Sequence, residues 1–321
     1  MDLLVTVYTL VYNHEPYIRQ CLDGLVMQKT NFKYECFVHD DASTDDSATI
    51  IREYADKFPD IIRPMFEIEN QWSKHDGSLD RIIRENLHGK YIAICEGDDY
   101  WTDPYKLQKQ VDYMETNPDC GLIYTDYSEF IQKSQTMKND MIKSGRRSQI
   151  NSFQEHLLKA AYIAPPSWLY RRETKAMEEY KKNKRFVDGT FSLALEFFQH
   201  SQVFFMQETT CVYRVLDNSA SHHTSAYKRY LYAKGIFDEQ LFFCNKYNVN
   251  PAIRNKICQR FYRKYYAQIL SYEEQEQKRL LKLESKNFDP SSLNTWVIKN
   301  VLSSSILTSL FTHICKIRYP K

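Results

Sequence analysis

Along the first 130 positions, short apolar runs alternate with stretches of helical period. Residues 3–12, LLVTVYTLVY, are rich in β-branched and aromatic side chains and predict a buried first strand. Asn13, His14, Glu15 and Pro16 break that run; Pro suits a helix start, where its missing N–H would go unpaired anyway. Apolar positions 18, 22, 25 and 26 then follow helical spacing to about Met27. The same reasoning predicts a strand over 34–39, a helix over 47–57, a strand over 61–66 and a helix over 78–87. Residues 91–95, YIAIC, predict a further buried strand. Asp103 as N-cap with Pro104 at the first helical position predicts a helix to about Thr116, ended by Asn117-Pro118. Residues 121–126, GLIYTD, predict one more strand, closing on an acid. This alternation predicts an α/β fold on a mostly parallel, doubly wound sheet.

The second half is less regular. Residues 131–150 are polar and basic and predict a mobile loop, in which Arg146 and Arg147 read as a solvated charge run rather than a phosphate site. Ser152 and Glu155 form a capping-box pattern that predicts a short helix. Apolar positions 191, 194, 195 and 198 predict a helix directly after Asp188. From Ala226 the character changes. Two long helices are predicted over 227–247 and 251–272, the second with Asn250 and Pro251 as its start signal; their aromatic stripe reads as helix packing. A charged helical stretch at 273–283 and a linker at 287–292 precede an apolar tail, 296–319, followed by Lys321. Such a tail suits an amphipathic helix on an anionic membrane surface, or one packed on its own domain or on a second subunit in a homo-oligomer.

Composition narrows the classes. The 321 residues include 24 Tyr and 18 Phe but 8 Gly, so core material is ample and flexible linker scarce. Lys and Arg total 43 against 41 Asp and Glu, a balance that argues against nucleic acid as a partner. The 8 Cys form no CxxC pair, so a zinc knuckle is not expected. With no leader pattern ahead of the first strand, they are expected to be reduced thiols of a cytoplasmic protein. No apolar run reaches membrane-spanning length, and no repeat or P-loop pattern occurs.

The candidate chemistry sits where predicted strands stop. After 91–95 come Glu96, Asp98 and Asp99, three carboxylates in four residues, with Gly97 expected to allow a tight turn. Carboxylates this close repel unless a cation or hydrogen-bond donors lie between them. Hard oxygen donors suit Mg²⁺ or Mn²⁺, metals that commonly share a site with substrate phosphates. After 34–39 come Asp40, Asp41, Asp45 and Asp46; helix capping accounts for one or two of these but not for Asp40 and Asp41 at the strand end. With Asp126, three predicted strands end in acid, and that edge is where open α/β sheets bind ligands. The loop 67–77 carries Trp72 and Lys74; Lys74 is a phosphate candidate, although a solvated connection is the simpler reading.

Three pieces in order, VYNHEPYI at 11–18, HDDASTDDS at 39–47 and CEGDDYWTDPYKLQKQ at 95–110, resemble a bacterial family 2 glycosyltransferase of the GT-A fold. GLIYTD after NPDC resembles that family's next element, so the likeness covers roughly the first 130 residues. The resemblance implies a GT-A domain over 1–225, with a nucleotide-sugar-binding half at 1–130 and an acceptor half at 131–225, and a C-terminal helical region at 226–321. It implies that Asp41 meets the base while Leu10, Tyr12 and Glu15 line its pocket. Asp98 would face the donor's sugar or ribose and Asp99 a divalent metal, Mn²⁺ or Mg²⁺; Glu96 replaces the Asp that commonly opens this motif. His222 or His223 would reach the metal or diphosphate, with Arg214 in support; without the resemblance the His pair is a solvated turn. Asp188 would be the general base, where an N-cap is the simpler reading; the two roles can use different oxygens.

The expected activity is metal-dependent, inverting transfer from a nucleotide-sugar donor, a UDP-sugar by preference. The acceptor would be a saccharide or lipid-linked saccharide in surface-polysaccharide synthesis, at the cytoplasmic face of the membrane. One alternative is a sugar-nucleotide nucleotidyltransferase, disfavoured because 11–18 lacks the Gly and basic residues of that class. The other is a non-catalytic module that binds saccharide or a partner enzyme.

Overall fold

The computed structural model describes residues 2–183, 186–217 and 226–271. In chain order the elements are β1 (Leu3–Val11), α1 (Glu15–Val26), β2 (Lys33–Asp40), α2 (Ser47–Lys57), β3 (Ile62–Phe66), α3 (Ser78–Asn86), β4 (Tyr91–Ile94), β5 (Tyr100–Trp101), α4 (Lys106–Thr116), β6 (Cys120–Ile131), β7 (Thr136–Lys138), α5 (Phe153–Lys159), β8 (Leu169–Arg171), α6 (Lys175–Lys182), α7 (Gly189–His200), β9 (Gln202–Val215), α8 (Ala226–Lys246) and α9 (Pro251–Ser271). Among the described residues nine strands form one sheet, in the order β3-β2-β1-β4-β8-β6-β9-β5 with β7 paired to β6. The predicted features at 273–283, 287–292 and 296–319, and both His222 and His223, lie outside the described residues.

The chain divides into two compact units. The first comprises Met1–Phe153, Ala161–Arg185 and Gly189–His222 and holds the whole sheet. Strands β1 to β4 are parallel, and β6 runs parallel to β9, while β8 is antiparallel to both neighbours. Strand β4 makes the two-sided burial visible. Tyr91 and Ala93, with Cys95 just beyond, join one apolar cluster; Ile92 and Ile94 join the other. Successive side chains of a strand point to opposite faces, so a strand covered on both sides reads as a nearly continuous apolar run. Helix α1 covers the first face with Ile18, Cys21, Leu22 and Leu25; α7 covers the second with Leu193, Ala194 and Phe197. Each such buried side chain contributes roughly 1.5–3 kcal/mol.

Three expectations change. Helix α4 starts at Lys106, not at Pro104, because the Asp103 carboxylate accepts the Tyr105 amide at 2.9 Å and closes a turn first. Asp126 does not end its strand. Strand β6 continues to Ile131, and the Asp126 carboxylate, buried beside a register shift, accepts the amides of Tyr127, Ile142 and Lys143 at 2.8, 2.9 and 2.9 Å. For the same reason residues 131–150 are not a free loop. They form the β6–β7 hairpin and a turn tied to Asp126, with Arg147 paired to Glu129 at 2.7 Å.

The second unit comprises Gln154–Ala160, Phe186–Asp188 and His223–Lys321. Phe237 of α8 stacks on Phe261 of α9 with ring centroids 4.2 Å apart. Asn250 caps α9 as expected, its Oδ1 accepting the Ala252 amide at 2.9 Å. Arg260 donates to the carbonyls of Leu158 and Lys159, which the end of α5 leaves without helical partners. Among the described residues no helix is long and apolar enough to cross a membrane. Seven cysteines among them are free thiols, and six of these are buried.

Candidate active site

The loops after β1 and β2 are fastened to each other by polar bonds. The amides of Asn13 and His14 donate to the hydroxyls of Ser43 and Ser47, both at 2.9 Å. Thr44 N–H donates to Asn13 Oδ1 at 2.7 Å, and Asp41 N–H to the Val11 carbonyl at 2.8 Å. Glu15 and the 45–46 pair exchange bonds: Glu15 N–H to Asp45 Oδ2 at 3.0 Å, and Asp46 N–H to Glu15 Oε2 at 3.2 Å. Glu15 and Asp45 therefore satisfy amides that the starts of α1 and α2 leave open. Burial raises the Asp45 carboxyl, but hydrogen bonds from Ser47 and from the Glu15 amide outweigh it and hold the group below its ordinary range. Tyr12 stands half-exposed at this edge, and Leu10 is partly buried in β1.

Asp41 is buried and holds the following loop in place. Its two oxygens accept the amides of Gln71 at 2.6 Å and Trp72 at 3.0 Å, and its carbonyl accepts Asn70 Nδ2 at 3.1 Å. The loop at 67–77 is therefore pinned at 70–72 and is no free solvated connection. Each Asp41 oxygen keeps a second lone pair. Trp72 is half-exposed beside it. Lys74 pairs with Glu69 and Gln71 Oε1, both at 3.1 Å, on the outer side of the loop. Asp40 accepts the Ser43 amide through Oδ2 at 3.2 Å, whereas its buried Oδ1 has no partner.

The acidic turn follows β4. Gly97 N–H donates to the Leu10 carbonyl at 3.0 Å, so the turn lies against the end of β1. A Cβ at Gly97 would come within 2.7 Å of His14 Nδ1 and 3.1 Å of the Leu10 carbonyl. Its backbone φ is not in the left-handed region; close approach, not a special turn, requires glycine here. Burial, then the neighbouring Asp98, pushes the Glu96 carboxyl up to about 8. Burial, then Asp98, also raises Asp99 well above the carboxylate range, against the Arg214 amide that donates to its Oδ1 at 2.7 Å. Asp98 is partly exposed. Burial lowers the His14 imidazole despite Asp98, Asp45 and Asp40, and its Nδ1 has no partner.

Arg214, from β9, clasps this turn. Besides the amide bond to Asp99, its Nε donates to the Asp98 carbonyl at 2.7 Å, Nη1 to Gln132 Oε1 at 2.9 Å and Nη2 to Gln20 Oε1 at 2.7 Å. The guanidinium lies 4.8, 5.3 and 5.5 Å from the ring centres of Tyr17, Tyr100 and Phe130. Gln20 and Gln132 carry no signal in the sequence; each is one more polar residue at a surface position. Lys106 is a second such case. It is wholly buried, with Nζ donating to Gln110 Oε1 at 2.8 Å and the Trp168 carbonyl at 3.2 Å, 4.3 Å from the centre of the Trp101 ring. Gln110 and Trp101 also donate to the carbonyls of Ser167 and Pro166, at 2.9 and 2.8 Å, so the segment before β8 is held from below the acidic turn.

Among the described residues no group of three or more His, Cys, Asp or Glu side chains is placed to hold a metal ion. The turn nonetheless suits a hard cation. Its donors are all carboxyl oxygens, and burial, then the neighbouring Asp98, raises Glu96 and Asp99 toward the protonated form, a cost that a bound cation would relieve. Mg²⁺-type ions are commonly held by one or two carboxylates plus substrate phosphates, not by a protein cage. Asp98 and Asp99 match that mode, with Asp99 left its Oδ2 because Oδ1 accepts Arg214 N–H. Asp188 lies in the second unit, at the residue before α7, where the Tyr232 hydroxyl donates to its Oδ2 at 2.7 Å.

Residues 6–177 match the model of glycosyl transferase family 2. An uncharacterised protein of Mycobacterium bovis is 32% identical over 210 residues, which are 65% of this chain and 58% of that protein, so the chain spans little more than half of that relative's length. A Bacillus subtilis protein bearing the name glycosyltransferase EpsH is 27% identical over 243 residues, covering 74% of this chain and 66% of its own. Another from B. subtilis, named for teichuronic acid biosynthesis as glycosyltransferase TuaG, is 30% identical over 131 residues, 40% of this chain and 48% of its own. Among solved structures, S. aureus TarS 1-349 in complex with UDP-GlcNAc superimposes with a TM-score of 0.63 at 13% identity, over 99% of this chain and 93% of that one. The mannosyltransferase PcManGT of Pyrobaculum calidifontis, in complex with GDP-Man and Mn²⁺, does so with a TM-score of 0.50 at 15% identity, over 96% and 86%. The mixed, two-faced sheet is thus of the GT-A type, and the chain belongs to glycosyl transferase family 2.

Proposed function

We propose that the protein is a metal-dependent, inverting glycosyltransferase that moves a sugar from a nucleotide donor, a UDP-sugar, to a saccharide or lipid-linked saccharide acceptor in surface-polysaccharide synthesis. The observation that carries this reading is the turn Glu96–Asp99, where crowded carboxyls at the carboxyl end of β4 adjoin the loops of β1 and β2. Support comes from the family, from TarS with UDP-GlcNAc and PcManGT with GDP-Man and Mn²⁺ among proteins of like fold, and from the name of TuaG.

In this reading Asp41, fixed by two backbone amides, uses its remaining lone pairs to accept N–H from the base, with Leu10, Tyr12 and Glu15 around it. Lys74 turns from Glu69 to a donor phosphate. Asp98 accepts from the donor's sugar or ribose. Asp99, with His222 or His223, holds Mn²⁺ or Mg²⁺. When bound, that cation supplies Lewis-acid neutralisation of the departing diphosphate. Asp188 takes the proton from the acceptor hydroxyl as its oxygen bonds to the anomeric carbon; the bond from that carbon to the diphosphate oxygen breaks, and the configuration inverts. The amphipathic pattern at 296–319 suits residence at the inner face of the membrane.

Thermal unfolding with UDP, GDP, CMP and TDP, each with and without Mn²⁺, tests the reading. A ligand at about 100 times its Kd adds roughly 2.7 kcal/mol, a rise of several degrees. One diphosphate is expected to stabilise the protein with metal and to lose that effect in Asp99→Ala. If no nucleotide raises the Tm under any condition, the donor-site reading falls.

A further inference from the structure

His39 precedes Asp40 and Asp41 at the end of β2 and is fully buried. Its Nε2 lies 3.2 Å from Glu67 Oε1, and its Nδ1 has no partner. A carboxylate only accepts, so the imidazole donates to it from Nε2. Glu67 stands just past β3, where its amide extends the ladder by donating to the Asp40 carbonyl at 2.9 Å. Its other oxygen, Oε2, accepts Gln71 Nε2 at 3.2 Å. Gln71 is buried and tied at both polar atoms of its side chain: Nε2 also donates to the Glu69 carbonyl at 2.8 Å, and Oε1 accepts Lys74 Nζ at 3.1 Å. The Gln71 backbone amide is one of the two that hold Asp41, at 2.6 Å from Oδ1, with the Trp72 amide at 3.0 Å from Oδ2. A continuous chain therefore runs from His39 through Glu67 and Gln71 to Asp41, all of it within the first unit. The residue type at 67 follows from it. A carboxylate accepts on both oxygens at once, whereas an amide would turn its own N–H onto one of the two donors.

We infer that His39 and Glu67 are positioning residues for recognition of the nucleotide base: by fixing Gln71 they set the amides that hold the Asp41 carboxylate in place. This rests on the reading of Asp41 as the base contact. A carboxylate already held by its neighbours gives up little freedom when a base docks on it, so the gain is realised as affinity. Both residues act through Asp41. The buried imidazole, which a core of this kind does not need for packing, is explained by the one bond it makes.

The test uses the full chain with Mn²⁺ and UDP as the probe, its Kd read by calorimetry. Glu67→Gln keeps the shape of the side chain and leaves one of its two donors unmet; His39→Leu removes one donor; His39→Gln puts an amide N–H where the imidazole Nε2 stood. Glu67→Gln and His39→Leu are expected to weaken UDP about 10-fold, and His39→Gln to recover most of that loss. Amide hydrogen exchange over 67–77, measured without nucleotide, is expected to quicken in the two weakened variants and not in His39→Gln. In an Asp41→Asn background Glu67→Gln should cost less than about 2-fold, because a chain that ends on Asp41 then has nothing left to position. If Glu67→Gln adds its full loss in that background, or leaves Kd and exchange at their wild-type values, the positioning role is wrong. Where Asp41→Asn binds UDP too weakly for the comparison, exchange and the recovery in His39→Gln decide alone. If Asp41→Asn keeps the wild-type Kd, or the wild type binds no UDP, the base-site reading has failed and this inference with it.

Discussion

Lys106 offers the sharpest test of how the core is built. It is wholly buried, and burial pushes its ammonium down to about 8 from an ordinary 10.5, with Cys211, Cys95 and Asp103 pulling weakly the other way. In the folded chain the group gives up its proton near pH 8; in the unfolded chain it keeps it to about 10.5. Between those values the unfolded state binds more protons, so stability rises with pH across that window. A shift of this size is worth about 3 kcal/mol, fully felt below pH 8 and gone above about 10.5. Between pH 7 and 9 the gain is about 1 kcal/mol, a few degrees in Tm.

Absolute stability at one pH does not isolate this. Lys106→Met removes the buried charge but strands Gln110 Oε1 and the Trp168 carbonyl, at about 1–3 kcal/mol each, and forfeits the contact with Trp101. These effects roughly cancel. Nor does the wild-type pH curve alone, because Glu96, raised to about 8, makes the opposite contribution and loses stability as pH rises from 4.5 to 8. The decisive quantity is the difference in Tm between wild type and Lys106→Met from pH 7 to 10, measured without added metal. It should move by a few degrees in favour of the wild type as pH rises. Parallel curves would refute the account of a charge held in the core at a cost.

Arg214→Met should lower stability by roughly 2–4 kcal/mol, since it unties Asp98, Gln132 and Gln20 at once, and should abolish the Mn²⁺-dependent part of nucleotide stabilisation; retention of that part would separate Arg214 from the acidic turn. Gly97→Ala should disturb the turn through contact with His14 and the Leu10 carbonyl, lowering nucleotide affinity at least 10-fold by calorimetry, where a free turn would accept alanine. His156 is buried, and burial pushes its imidazole down to about 3 from 6.5 against the pull of Glu155. The unfolded chain therefore takes up a proton below 6.5 that the folded chain refuses, and about 1.4 kcal/mol is lost per pH unit down to about 3. His156→Leu should move the acid-unfolding midpoint, followed by circular dichroism, to lower pH; an unchanged midpoint would count against the buried imidazole.

The sheet was legible because a strand covered on both faces reads as a nearly continuous apolar run, as residues 3–11 and 91–94 do apart from the buried Thr6 and Thr9. Helix α2 was legible to the residue, Ser47–Lys57, although the acid that accepts its first amide is Asp45, not the N-cap residue Asp46. Residues 131–150 were not, since what orders them is the continuation of β6 into a hairpin and the Asp126 carboxylate on a strand whose end was misplaced. Composition reports that the segment is polar, not which amides a distant acid will accept. The start of α4 failed on a finer point: Asp103 and Pro104 fit both a helix cap and the turn before one. Gln20 and Lys106 were hidden in a different way, and Arg214 was reached only through the resemblance. Their roles depend on partners 194, 116, 82 and 62 positions away, a pairing that no local window contains.

The acids at the sheet edge look alike in the sequence and are not alike in the fold. What separates them is who occupies their oxygens. Glu15, Asp41 and Asp45 each accept backbone amides, which spends lone pairs on structure. Glu96 has no such donor and is driven toward the protonated form by burial and by Asp98. Asp99 is intermediate, with one amide on Oδ1 that does not offset its burial. Asp40 keeps a buried Oδ1 with no partner. Removing the oxygens that cap and fasten loops leaves Oδ1 of Asp40, Glu96, Asp98 and one side of Asp99, all at the ends of β2 and β4, the two strands that flank β1, or just beyond them. A polar group buried without a partner is costly, and so is a carboxyl driven toward its protonated form by burial. That concentration of unmet demand is a stronger pointer to a ligand than the count of acids, because it is the part of the acidity that the fold itself does not use.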